Sequence, residues 1–316
     1  MRILFVCSTY YHALISCVKT FHFKDKPEVL ITEYISEGLL LKKRLAESNL
    51  FDFVYFLKNP SEYVPKNKID KLINLHRINR AKIASQICFD FASYDEIYLF
   101  HDDIWVAHYL KDKRIKYNLI EDALDNLKIL SDTPFRYMVY HNSIKSKIKR
   151  ILNYGYMYFD NSPAVKSIEV NDKSGLTFKN LVEVPRKEMF KGLSQQELKS
   201  LESIFCPNLR EYYCGDTLLL TEPFSVEKSM TSDEQERFYL NLAKQCSGKV
   251  YIKPHPRDKC CYEGLDEKIL PKNVPLEILF LLGKMHFEKI VVYRNSTAAS
   301  LPRNFGLPLE IDYYDI

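Results

Sequence analysis

Residues 1–21 read MRILFVCSTYYHALISCVKTF. Two periodicities meet inside this stretch. Ile3–Cys7 is a short continuous apolar run, as a strand buried on both faces requires. From Tyr10 the period changes, and Tyr10, Leu14, Cys17, Val18 and Phe21 fall on one helical face. A buried strand feeding an amphipathic helix is the opening unit of a parallel α/β sheet. His12 and other polar residues follow the apolar run too closely for an export signal.

Outward from this unit the alternation repeats. Residues 29–32, 53–56, 97–100 and 117–120 are further short apolar strands, and Ile83, Ile87 and Phe91 share a helical face. Near 153–185 the pattern breaks at Asn161-Ser162-Pro163, Asn171-Asp172 and Gly175, which reads as a passage between domains. It resumes at Ser194-Gln-Gln-Glu197, a capping box ahead of Leu198, Leu201 and Phe205. A strand at 218–221 ends at Pro223. A second box, Ser232-Asp-Glu-Gln235, opens a helix with Phe238, Leu242, Ala243 and Cys246 toward the core. A strand at 249–252, a helix at 276–282, a strand at 290–292 and a helix start near Asn295 complete the series. The expected architecture is α/β: two Rossmann-like doubly wound domains facing a central cleft. Residues 1–155 form the first domain, 156–185 the inter-domain segment and 186–316 the second.

Composition narrows the function classes. The chain has 316 residues, 46% of them hydrophobic, enough for two cores of ordinary size. Its net charge of +4, from 45 basic and 41 acidic residues, excludes a polyelectrolyte-type nucleic-acid binder. No apolar run of about 18 residues is present, so no membrane span is expected. Cysteines stand at 7, 17, 88, 206, 214, 246, 260 and 261 without a CxxC pair. They read as reduced, mostly buried thiols of a cytoplasmic chain. Cys260–Cys261 has too few neighbouring ligands for a closed zinc site. The same applies to His101, Asp102, Asp103 and His108, where Asp103 reads better as the cap of a helix carrying Trp105. The basic run 145–150 reads either as a solvated helical face or as a contact with the inner face of the membrane.

Polar residues gather where the predicted strands end, which is where open parallel sheets bind ligands. Tyr10 and His12 follow the first strand, and His101 the fourth. Glu121 and Asp122 follow the strand Tyr117–Ile120, as a helix cap or as a general base. Thr221 and Glu222 follow 218–220. Lys253 and His255 follow 249–252, with His255 held between Pro254 and Pro256, whose fixed φ angles set its direction. Asn295, Ser296 and Thr297 follow 290–292. Small hydroxyl residues at a helix start make either a plain N-cap or a phosphate cradle.

Taken in order, Glu121-Asp122-Ala123, His255-Pro256 and Ser296-Thr297 resemble the three motifs of the bacterial sialyltransferase superfamily. Glycosyltransferase family 52, the lipooligosaccharide and capsule sialyltransferases, is the best likeness. Pro275-Leu276-Glu277 is similar to that family's ribose-binding segment. Ala123 stands where the family has Gly. The resemblance implies a GT-B fold and metal-independent, inverting transfer of sialic acid from CMP-sialic acid to a galactose-terminated glycan. It implies no cofactor and no nucleic-acid partner. It casts Asp122 as the base, with Glu121 the alternative. His255 would protonate or hydrogen-bond the departing phosphate, and Pro256, Lys253, Asn295, Ser296, Thr297 and Glu277 would line the donor site. Tyr10, His12 and His101 are candidate acceptor contacts. Linkage, acceptor identity and homodimer formation stay open. Two other readings survive: a related transferase with another nucleotide sugar, and a non-catalytic nucleotide- or glycan-binding subunit.

Overall fold

The computed structural model of the chain describes residues 1–59, 66, 78, 81–102, 104–123, 125–131, 163–207, 209, 212–227, 229–262, 268–294 and 296–315. It divides into two compact units, Met1–Met189 and Phe190–Ile316.

The first unit is one parallel sheet of seven strands: β1 (Ile3–Cys7), β2 (Glu28–Thr32), β3 (Val54–Leu57), β4 (Glu96–Leu99), β5 (Tyr117–Ile120), β6 (Val165–Val170) and β7 (Leu181–Glu183). Their order is β3-β2-β1-β4-β5-β6-β7, and every pairing is parallel. Helices α1 (Tyr10–Thr20) and α2 (Gly38–Glu47) return the chain in one direction along the sheet. Helix α3 (Trp105–Asp112), between β4 and β5, returns it in the other. Right-handed crossovers therefore put α1 and α2 on one face and α3 on the opposite face. The chain reverses direction between β1 and β4, the switch point where such sheets hold ligands at their carboxyl ends. The core under α3 joins Leu4, Val6, Ile97, Leu99 and Leu119 to Val106, Ala107 and Leu110.

The expected linker at 156–185 is corrected here. Strands β6 and β7 fall inside that range and extend the first sheet, and the division between units comes at Met189/Phe190. Asn171, Asp172 and Gly175 lie between two strands of one sheet and do not join two domains. Two short helices, α4 (Asn126–Ser131) and α5 (Arg186–Lys191), complete this part, and the second unit begins within α5.

This unit holds α6 (Gln195–Phe205), β8 (Tyr213–Cys214), β9 (Thr217–Leu220), α7 (Ser232–Gln245), β10 (Val250–Lys253), α8 (Leu276–Leu281), β11 (Met285–His286), β12 (Lys289–Tyr293), α9 (Leu301–Phe305) and β13 (Glu310–Tyr314). Its main sheet is parallel in the order β10-β9-β12-β13, and β11 pairs with β8. Here too the winding reverses, between β9 and β12. The Ser194–Glu197 capping box forms as expected. The second box sits one residue earlier, with Thr231 and Glu234 exchanging the two bonds. Gln235 and Tyr239 turn inward beside the expected Ala243. Phe238, Leu242 and Cys246 pack against the core only in part. All eight thiols are free, but only Cys7, Cys17 and Cys206 are buried, fewer than expected. No helix among the described residues is long and apolar enough to cross a membrane. The basic run 145–150 and Asp103 lie outside the described residues; α3 starts from Ile104 without a side-chain cap.

Candidate active site

At the switch point of the first sheet, α1 begins directly after β1, and Thr9 caps it by accepting the His12 N–H at 3.1 Å. This first turn aims the His12 ring back over the strand ends. The ring is fully buried and stacks on Phe100, with centroids 4.1 Å apart and planes 5° from parallel. The Ser8 N–H donates to His12 Nδ1 at 3.1 Å. Nδ1 is thus an acceptor, and the ring proton of the neutral imidazole sits on Nε2. Nε2 lies 2.6 Å from Asp122 Oδ1, at the end of β5, and donates to it. Burial pulls the His12 pKa down, and the Asp122 carboxylate opposes this only in part. His101, at the end of β4, brings Nδ1 to 4.0 Å from the same Asp122 oxygen.

The two adjacent carboxylates do different things. Glu121 is buried, and its oxygens accept from the Leu127 and Asn171 N–H groups, each at 3.0 Å. It caps the first turn of α4 and ties β6 to β5. Burial pushes its pKa up. Asp122 keeps 29% of its side-chain surface open. Ala123 needs no glycine: the positive φ of this turn falls on Asp125, at 55°.

Of the three candidate acceptor contacts, His12 is fully buried, and Tyr10 is buried with its hydroxyl donated to Ser36 O at 2.7 Å. Burial and nearby Glu37 push the Tyr10 pKa up to about 12. His101 keeps part of its surface. Among the described residues one group of three metal-ligating side chains gathers its ligand atoms within 4.8 Å: His12, His101 and Asp122. Ligation there would have to displace the proton that His12 Nε2 already shares with Asp122.

In the second unit His255 follows β10, and every backbone group it offers is fixed. Its N–H donates to Thr221 Oγ1 at 3.0 Å, and its carbonyl accepts from the Asp258 N–H at 2.8 Å. The Arg257 N–H donates to Nδ1 at 3.1 Å. The proton again sits on Nε2, and no partner takes it among the described residues. Burial, reinforced by the Arg257 and Lys253 charges, pulls the His255 pKa down to about 4. The imidazole is therefore a neutral hydrogen-bond donor near pH 7.

The Thr221 hydroxyl in turn donates a hydrogen bond to Asp258 Oδ2 at 2.7 Å. The buried Asp258 also accepts from Tyr262 Oη at 2.5 Å, Gln235 Nε2 at 2.9 Å and the Cys260 N–H at 2.9 Å. This four-donor hub holds the loop that carries His255, and no sequence motif marks it. The inward turn of Gln235 is what brings its amide there.

Lys253 is buried, and its Nζ donates to Lys272 O at 3.0 Å and Pro254 O at 3.3 Å. Burial drops its pKa to about 7, against the pull of Glu277. Glu277 sits in the first turn of α8, its own carboxyl pushed up by burial. Pro256 is partly exposed beside His255.

At the end of β12, Ser296 caps a 3-10 turn, Thr297–Ser300, and α9 follows. The helix expected near Asn295 is this shorter device, and Asn295 lies outside the described residues. Ser296 also hydrogen-bonds Glu222, at the end of β9, whose carboxyl burial pushes up. Glu222 and Ser296 thus meet at the switch point of the second sheet. A hollow of about 360 Å³ opens beside Pro254, Tyr262, Leu270 and Pro271.

No protein-family model matches the chain. A protein of Haemophilus influenzae named as uncharacterized is 25% identical over 210 residues, which is 64% of this chain and 63% of that protein. Among solved structures, the spinosyn forosaminyltransferase SpnP covers 100% of this chain, with 80% of its own length matched. Its TM-score is 0.48 and its identity 12%. A likeness at that level carries no argument about activity, and the fold rests on the winding of the two sheets.

Proposed function

We propose that the chain is a GT-B glycosyltransferase, an inverting sialyltransferase moving sialic acid from CMP-sialic acid to a hydroxyl of a galactose-terminated surface glycan. The observation that carries this reading is in the second unit. His255, Glu222 and Ser296 follow three adjacent parallel strands, β10, β9 and β12, and His255 presents a neutral Nε2–H. A single bridging phosphate needs hydrogen-bond donors more than a metal, and fixed donors stabilise charge as it develops on the leaving group.

In the reaction, Asp122 takes the proton of the acceptor hydroxyl while that oxygen attacks the anomeric carbon. The bond from this carbon to the phosphate oxygen breaks, and CMP leaves with the electron pair. His255 donates a hydrogen bond to the phosphate and keeps its proton. The hydroxyls of Ser296 and Thr297 bind the same group, and Glu277 takes the ribose. Lys253 holds the loop, and the hollow beside Pro254 receives the base, as apolar pockets with a few fixed polar groups do. Transfer from CMP-sialic acid in the cytoplasm fits a chain without a membrane-crossing helix among its described residues.

Thermal-shift donor profiling tests the assignment. CMP and CMP-sialic acid raise the melting temperature, and UDP-sugars do not. Stabilisation by a UDP-sugar alone would replace the donor.

A further inference from the structure

We infer that His12 is the positioning residue of the base, locking Asp122 by a hydrogen bond from behind while never meeting the substrate itself. The inference rests on the functional reading above, and the geometry that carries it stands in the first unit alone.

Three observations set the direction of the pair. His12 is fully buried, whereas Asp122 keeps 29% of its side-chain surface, so only Asp122 can meet an acceptor hydroxyl. The Ser8 N–H fixes the tautomer by occupying Nδ1. The Phe100 face fixes the ring plane, which leaves Nε2–H no target but Asp122 Oδ1 at 2.6 Å. A backbone N–H, an aromatic face and a buried ring thus aim one hydrogen bond at one carboxylate oxygen. Preorganisation of this kind holds a reactive group within the narrow range that transfer needs.

The two adjacent carboxylates take different contacts. Glu121 spends its oxygens on Leu127 and Asn171. Among the described residues, His12 and His101 bring ring nitrogens to Asp122 Oδ1. A hydrogen bond donated to the ionised form favours that form, so His12 keeps Asp122 ready as a base at lower pH.

Two variants and one spectroscopic signature test this in the full-length protein. In His12→Gln the amide nitrogen reaches the place of Nε2 and keeps a donor on Asp122. In His12→Leu the donor is gone. His12→Leu should lower kcat by about 10²-fold, as loss of alignment does. It should move the acid limb of kcat/KM to higher pH and leave KM for CMP-sialic acid and CMP binding unchanged. His12→Gln should recover activity to within about 10-fold of wild type.

If His12 were the base, both variants would lose as much as Asp122→Asn, on the order of 10²–10⁴, and the inference would be overturned. Unchanged kcat and pH profile in His12→Leu would overturn it equally. Nitrogen NMR of histidine-labelled protein supplies a readout free of turnover. His12 should stay neutral, with its proton on Nε2, from pH 5 to pH 8 (roughly the range in which ordinary histidines titrate). A charged ring or an Nδ1–H tautomer contradicts the lock. Wild-type protein that shows the tautomer but does not transfer sialic acid would fail the functional reading and leave the lock standing.

Discussion

Thr221→Val removes one hydroxyl and tests how His255 is held. Thr221 is 3% exposed. Its oxygen accepts the His255 N–H at 3.0 Å and donates to Asp258 at 2.7 Å. The valine leaves one buried N–H without an acceptor and takes one of four donors from a buried carboxylate. An unsatisfied buried group costs about 1–3 kcal/mol, and a hydrogen bond to a charged group contributes about 1.5–3 kcal/mol. The added methyl returns about 0.8 kcal/mol. The net loss is about 3 kcal/mol, which for a unit of this size lowers the melting temperature by about 10 °C. CMP affinity should fall with it, because the His255 loop is no longer pinned. Thr221→Ser keeps both bonds and should lose about 1 kcal/mol. Chemical denaturation of the three proteins reads both values. A Thr221→Val protein within 0.5 kcal/mol of wild type, about the scatter of neutral substitutions, or a Thr221→Ser protein as weak as Thr221→Val, would refute the reasoning.

Further outcomes follow from the same contacts. Asp122→Asn should lower kcat by about 10²–10⁴ with stability unchanged, while Glu121→Gln should chiefly lower stability, read by thermal melting beside the kinetics. Glu222→Gln removes a carboxyl that Ser296 holds near the proposed phosphate. CMP should bind a few-fold tighter above neutral pH, measured by calorimetry, and weaker binding would count against a phosphate there. His255 titrates near pH 4 in the folded state and near pH 6.5 unfolded. Its contribution to stability is therefore complete above pH 6.5 and is lost as pH falls toward 4. His255→Gln should flatten that window in a pH series of melting temperatures.

The fold was legible where burial is complete. β1, β2 and β5 are buried at every position, and the apolar runs at 3–7, 29–31 and 119–120 show in the sequence. β6 mixes Lys166, Ser167 and Glu169 with apolar residues, β7 keeps two exposed positions, and β8 and β11 are two residues each. None carries a period long enough to read, and in the sequence β6 and β7 leave 156–185 with the look of a linker. The placement of Asp122, His255 and Ser296 after strands was legible from the same alternation. The His12–Asp122 bond spans 110 residues and exists only because β1 lies one strand from β5 across β4. The Asp258 hub escaped for the same reason: its donors come from β9, α7 and the loop after β10, and only the folded sheet brings them together.

The central claim is transfer itself. The purified protein, incubated with CMP-sialic acid and a panel of galactosides and read by mass spectrometry, should yield a sialylated galactoside and one CMP per sialic acid moved. The Asp122→Asn and His255→Ala proteins should yield far less. CMP binding without any sialylated product, or product formed only from a different nucleotide sugar, would contradict the account.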